Sequence, residues 1–210
     1  MTQAIYCSNR EGLVLASDSL ILREGDGGRV ERLTARRVFA LGPRAVVLTA
    51  GAPVGAEMAA QLAQWLQPRR LEDFGDLLSL SRDFLAEGYA RFLRAGHGRR
   101  GGSPDRHLYF IVAGYEGQQP FPYSAVLLES EGGELPFKES RLGRVFTLPR
   151  RLVQEGHITR QIAEGAGLRE LAASCRLALE HAAERNPEAV GGPFHVAMIT
   201  QRGVEFLEGN

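Results

Sequence analysis

Lysine is almost absent from this chain. Of the 25 basic residues all are arginine except Lys138, so chemistry that needs a lysine to give up a proton has one candidate. Cysteine is nearly as scarce. Cys7 and Cys175 do not make a disulfide scaffold and have no metal-ligand spacing. Net charge is absent too: 25 basic residues balance 25 acidic ones, which removes any bulk attraction to nucleic acid or an anionic membrane. No apolar run approaches the roughly 20 residues of a membrane span. The opening "MTQAIYCSNR" has no basic segment followed by a long apolar one, so no signal peptide is expected and the cytoplasm is the default compartment. His97, His107, His157, His181 and His195 show no metal-pair spacing, and no glycine-rich phosphate loop follows a strand. No cofactor is expected.

What the chain does have is enough apolar material for a core. It is 44% hydrophobic and 24% charged over 210 residues, which suits one domain over residues 1–210. Residues 2–8 read as a strand, "NREG" as a turn and "LVLASDS" (13–19) as a second strand, forming a hairpin. Residues 20–36 begin apolar but turn polar and glycine-containing, and read as a loop. "RVFAL" and "AVVLTAG" form a second hairpin across "GPR". At Pro53 the period changes to helical, with Val54, Met58, Leu62, Trp65 and Leu66 on one face. A second helix covers 75–94, and residues 96–107 read as a loop. Strands return at 108–115, 123–129 and in "SRLGRVF". Residues 158–164 read as a short helix and 167–185 as a long one, striped by Leu168, Leu171, Ala172, Cys175 and Leu179. "HVAMIT" and "VEFLE" close the chain as strands.

Hairpin connections imply antiparallel pairing, and strands apolar on both faces need cover on both. The expectation is an α+β fold of two packed antiparallel sheets with helices outside.

"GLVLASDS" raises the functional question. An apolar strand runs into a carboxylate, Asp18, sixteen residues after Thr2. Taken alone, Asp18 reads equally as the cap of a turn, and a threonine at position two carries no information. Together with the strand order, "VVLTAG" and the closing "VGGPFHVAMITQRGV", this pattern resembles the proteasome β-subunit family of N-terminal-nucleophile hydrolases, in particular its bacterial ancestral-β-subunit-like members. The resemblance covers nearly the whole chain. It implies a four-layer αββα sandwich and a catalytic set of Thr2, Asp18, Arg37 and Gly51. Thr2, exposed by removal of Met1, would be the nucleophile and its α-amine the base, because that amine titrates near neutrality. Asp18 would orient a cation beside it. The Gly51 amide would receive the oxyanion ahead of the helix that starts near Pro53. The alternative for Gly51 is a glycine needed only for the tight turn, and both can hold, since the turn is what aims the amide.

Three departures from the family pattern bear on activity. Arg37 stands where the family has a lysine, and arginine does not release its proton. The Ser-Gly turn before the third helix is missing. Pro187 and Val190 stand where an acid and a hydroxyl are expected. The resemblance therefore leaves three readings: a threonine-type peptidase subunit of a self-compartmentalised ring or spiral, a weak or inactive subunit with an assembly or gating role, or an amidohydrolase of small amides. The first takes peptides or unfolded proteins as substrate, forms homo-oligomers and leaves room for an ATPase partner. Cys7, mid-strand in an apolar run, reads as buried rather than nucleophilic.

Overall fold

The computed structural model describes residues 2–24, 30–95, 107–117 and 122–207. By class the chain is α+β, with antiparallel sheets and four α-helices among the described residues. It divides into two compact units, each assembled from separated stretches. The first takes in Met1–Val38, Arg144–Met198 and Glu205–Asn210, and the second Phe39–Gly143 and Ile199–Val204. The chain passes between the units at 38/39, 143/144, 198/199 and 204/205, which no linker composition marks.

In the first unit, β1 (Ala4–Ser8) and β2 (Leu13–Ser17) pair antiparallel with Ala4 opposite Ser17 and Cys7 opposite Val14. Asn9 shapes the turn between them: its side-chain oxygen accepts the Glu11 and Gly12 amides at 2.9 and 3.2 Å. β10 (Val145–Leu148) pairs with β1 on its other side, and β11 (His195–Thr200, in this unit to Met198) and β12 (Gly203–Leu207, in this unit from Glu205) follow β2, giving the order β10-β1-β2-β11-β12. α4 (Leu168–Arg185) lies on β1 and β2, and α3 (Leu152–Ala163) on β10. Ile5, Cys7, Val14 and Ala16 meet Leu168, Leu171, Ala172, Cys175 and Leu179 in one core. A fully buried leucine of this kind is worth about 1.5–3 kcal/mol. The alternate residues Tyr6, Leu13 and Leu15 are buried as well, so β2 has no solvent face.

In the second unit the order is β5 (Val38–Gly42), β6 (Ala45–Gly51), β7 (Leu108–Tyr115), β8 (Tyr123–Ser130), β9 (Lys138–Arg141). α1 (Val54–Leu66) packs on β6 and β7, and α2 (Phe74–Arg94) on β7 and α1. Met58, Leu62 and Leu66 are the buried stripe of α1, as its period requires, while Val54 and Trp65 are partly exposed. Asp73 caps α2 by accepting the Asp76 amide at 2.8 Å.

Three elements differ from the sequence reading. Residues 20–36 are not wholly a loop: β3 (Leu20–Glu24) and β4 (Val30–Thr34) form a two-stranded sheet with Leu20 opposite Thr34. β4 is exposed along its whole length, so it lacks the alternation that marks a strand in sequence. "SRLGRVF" is not one strand. Its start belongs to β9 and its end to β10, in different sheets, with Leu142–Arg144 between them. α3 begins six residues earlier than expected, because its first turn inverts the usual pattern. Leu152 and Val153 are exposed, at 73% and 91%, while Glu155 is buried. The Glu155 carboxylate accepts from the Thr147 amide, the Thr147 hydroxyl and Arg150, at 3.0, 2.7 and 2.7 Å. Most of the segment read as a loop over 96–107 lies outside the described residues.

The contact between α1 and β6 leaves no room for a side chain at Gly55. A methyl group there would come within 2.3 Å of Thr49 Oγ1 and 2.7 Å of Leu108 Cδ1. Gly55→Ala is expected to lower the unfolding free energy by about 1–3 kcal/mol in a urea titration. An unchanged midpoint would mean that this helix is not seated as described.

Candidate active site

The hairpin turn carries the chain back so that Asp18 lies opposite Gln3. The Gln3 amide donates to Asp18 Oδ1 at 2.9 Å, and the Asp18 amide donates to the Gln3 carbonyl at 3.1 Å. The carboxylate is thus bonded to the residue that follows Thr2. Ser17 Oγ donates to the Asp18 carbonyl at 2.6 Å, closing the end of β2. Beyond it the Ser19 amide donates to the Gly191 carbonyl at 3.1 Å, and the Ala35 amide to the Ser19 carbonyl at 2.9 Å. Arg37 reaches the same strand end: its Nη2 donates to the Leu20 carbonyl at 3.0 Å.

All four of these side chains are withdrawn from water: Thr2, Gln3, Asp18 and Arg37 are 5%, 1%, 0% and 2% exposed. Among the described residues, several of their polar atoms have no hydrogen-bond partner. These are Thr2 Oγ1, both amide atoms of Gln3, Asp18 Oδ2, and Nε and Nη1 of Arg37. A buried polar group left without a partner is costly, about 1–3 kcal/mol, so this concentration marks the place as a candidate site.

Burial pushes the Asp18 carboxyl above its ordinary value of 3.8, against the Gln3 amide, the Arg37 charge and the Gly191 main chain, which all favour ionisation. Burial likewise lowers the Arg37 guanidinium, against the pull of Asp18. The two groups feel each other's field, but no hydrogen bond joins them among the described residues. Arg37 is held by a carbonyl and Asp18 by an amide. The expected direct hold of Asp18 on Arg37 is therefore a coupling through space.

Gly51 belongs to the second unit and has a structural reason of its own. It ends β6 opposite Leu108 with φ of 91°, and a Cβ would lie 2.1 Å from the His107 carbonyl. Only glycine fits there. The next amide, of Ala52, donates to that same carbonyl at 2.8 Å. Pro53 sits at the N-cap of α1 with no side-chain cap.

Two contributors escaped the sequence reading. Gln3 contributes its main-chain amide, which any residue but proline supplies, so sequence carries no signal for it. The Leu20 carbonyl, which anchors Arg37, leaves no trace in sequence. Cys7 is buried, with its sulfur 3.7 Å from that of Cys175, and both thiols are free. Among the described residues no His, Cys, Asp and Glu group could hold a metal ion, and no helix is long and apolar enough to cross a membrane. A scan against protein-family models finds no match for the chain, and a search of curated proteins finds none either.

The raised Asp18 carboxyl gives a pH test. Because the folded chain holds this proton more tightly than the unfolded one, the stabilising contribution is full below 3.8 and is lost as pH rises through the higher folded value. Wild type should therefore gain unfolding free energy relative to Asp18→Asn as the pH falls from neutrality toward 3.8. Denaturant titrations at several pH values read the difference. A wild type that instead loses ground on acidification would mean a carboxyl depressed in the fold.

Proposed function

We propose that this chain is a threonine-type peptidase subunit of the N-terminal-nucleophile class, similar to a proteasome β-subunit. One observation carries the reading: a buried carboxylate, Asp18, is hydrogen-bonded to the amide that follows Thr2 and shares its field with a buried cation, Arg37. A threonine hydroxyl is a weak nucleophile and needs a base. When Thr2 begins the chain, its α-amine takes the hydroxyl proton as Oγ1 attacks a peptide carbonyl. The amine returns that proton to the leaving amide nitrogen, and an acyl ester remains on Thr2. Water then attacks the ester, frees the second product and restores the hydroxyl. Arg37 stays charged throughout and holds the amine in its neutral, proton-accepting form. The resemblance assigns the oxyanion to the Gly51 amide.

The same reading carries the family's four-layer αββα sandwich, a cytoplasmic setting, peptide or unfolded-protein substrates, and assembly of identical subunits into a ring or open spiral with an ATPase as the partner class. Light scattering should give a multiple of the monomer mass.

A second reading, an inactive subunit kept for assembly or gating, is favoured by Arg37 itself. A guanidinium bonded to the Leu20 carbonyl cannot exchange a proton as the family's lysine can.

Turnover of fluorogenic peptide amides separates the two. With Thr2 as first residue the protein should hydrolyse them, and Thr2→Ala should lose roughly a thousandfold or more. Arg37→Ala should lose about a hundredfold, while Arg37→Lys keeps or raises the rate. Turnover indifferent to Thr2→Ala would remove the peptidase reading. A folded protein with Thr2 first and no turnover would leave the inactive subunit.

A further inference from the structure

The first unit contains a second cluster of polar groups, in a groove of about 590 Å³ between α4 and the strands β11 and β12. Arg36, Arg176, Glu180 and His195 line it, with Phe194 and Phe206 among its apolar walls. Both arginines are held in place. The Arg36 guanidinium lies over the Phe206 ring at 4.4 Å, and its Nε donates to the Val38 carbonyl at 2.8 Å. Arg176 Nη2 donates to the Leu207 carbonyl at 3.0 Å. Cations fixed in this way lose little freedom when they meet an anion.

The charges sum to a single positive one: two arginines, one glutamate and a histidine kept neutral. Burial and the charges of Arg36 and Arg37 push His195 below its ordinary value, and its Nδ1 is buried without a hydrogen-bond partner among the described residues. A net charge of plus one suits a monoanion. Glu180, one turn from Arg176 on α4, opposes a second negative charge. The volume lies within the range of small-molecule sites, and the aromatic walls suit an apolar body.

We propose that this groove binds a small organic monocarboxylate with an aromatic or branched apolar tail, its carboxylate on Arg36 and Arg176 and its tail against Phe194 and Phe206. The C-terminal residue of a peptide and a free arylalkyl acid share this chemistry. The site is independent of Thr2 and of the peptidase reading.

The probes are 3-phenylpropanoate, its neutral amide, N-acetylphenylalanine and inorganic phosphate, titrated into the intact protein by calorimetry and by NMR of the His195 ring. The carboxylate should bind in the millimolar range or tighter, and should shift the His195 resonances. The amide should bind about tenfold more weakly or not at all, since it loses the charge-assisted hydrogen bonds. N-acetylphenylalanine binding more tightly than 3-phenylpropanoate identifies a peptide end as the preferred source, and the reverse identifies a free acid. Arg176→Gln should weaken carboxylate binding about tenfold. Glu180→Gln should strengthen it about two- to fivefold, a gain that misfolding cannot produce. The proposal is overturned if acid and amide bind equally, if phosphate binds more tightly than the carboxylate, if Glu180→Gln leaves the affinity unchanged, or if the His195 resonances do not move at about 10 mM ligand.

Discussion

The first unit turns on a buried carboxylate at the end of a strand. Asp18 is taken out of water where β2 stops, and that is unfavourable unless something answers its charge. Its surroundings do so in part. The Gln3 amide donates to one oxygen, the Arg37 guanidinium acts through space, and the Gly191 main chain also favours the charge. Among the described residues Oδ2 gains no hydrogen bond, and Arg37 in turn has none at Nε and Nη1. A core built only for stability would replace such a pair with apolar side chains of similar volume at little cost. The hairpin register, the Ser19–Gly191 bond and the Leu20 carbonyl hold the pair at the head of the chain.

Much of this was legible in the sequence, for physical reasons that can be named. The β1–β2 hairpin follows from an apolar run on either side of "NREG", and its length alone puts Asp18 near the chain start. The helices at 54–66, 74–94 and 168–185 follow from apolar residues at three- and four-residue spacing, because each has one buried stripe. β3 and β4 were not legible, because strand reading relies on alternating burial and β4 has none. The start of α3 was hidden for the opposite reason. Its apolar residues face out and its glutamate faces in, held by Thr147 and Arg150.

At the candidate site, sequence located residues but not their bonds. Thr2, Asp18 and Arg37 fall in one unit and are all buried. That Arg37 is tethered to a main-chain carbonyl rather than to Asp18 was invisible, since any residue supplies a carbonyl. The distinction matters chemically. A cation held by a carbonyl is a fixed source of field, and a fixed field can lower the proton affinity of a neighbouring amine without exchanging a proton itself. Gly51 has a structural demand of its own. Its φ of 91° and the crowding by the His107 carbonyl require glycine whatever its amide does.

Thr2, once it begins the chain, is proposed to carry an activated hydroxyl. The most direct measurement is the site of acylation by a β-lactone. Protein with Thr2 first is treated with the reagent, and intact mass and peptide mapping locate the adduct. The account predicts one adduct per chain, on Thr2, and none on chains that retain Met1, whose Thr2 nitrogen is a peptide amide rather than a base. A protein that stays unmodified with Thr2 first, or is modified equally with Met1 in place, would contradict it.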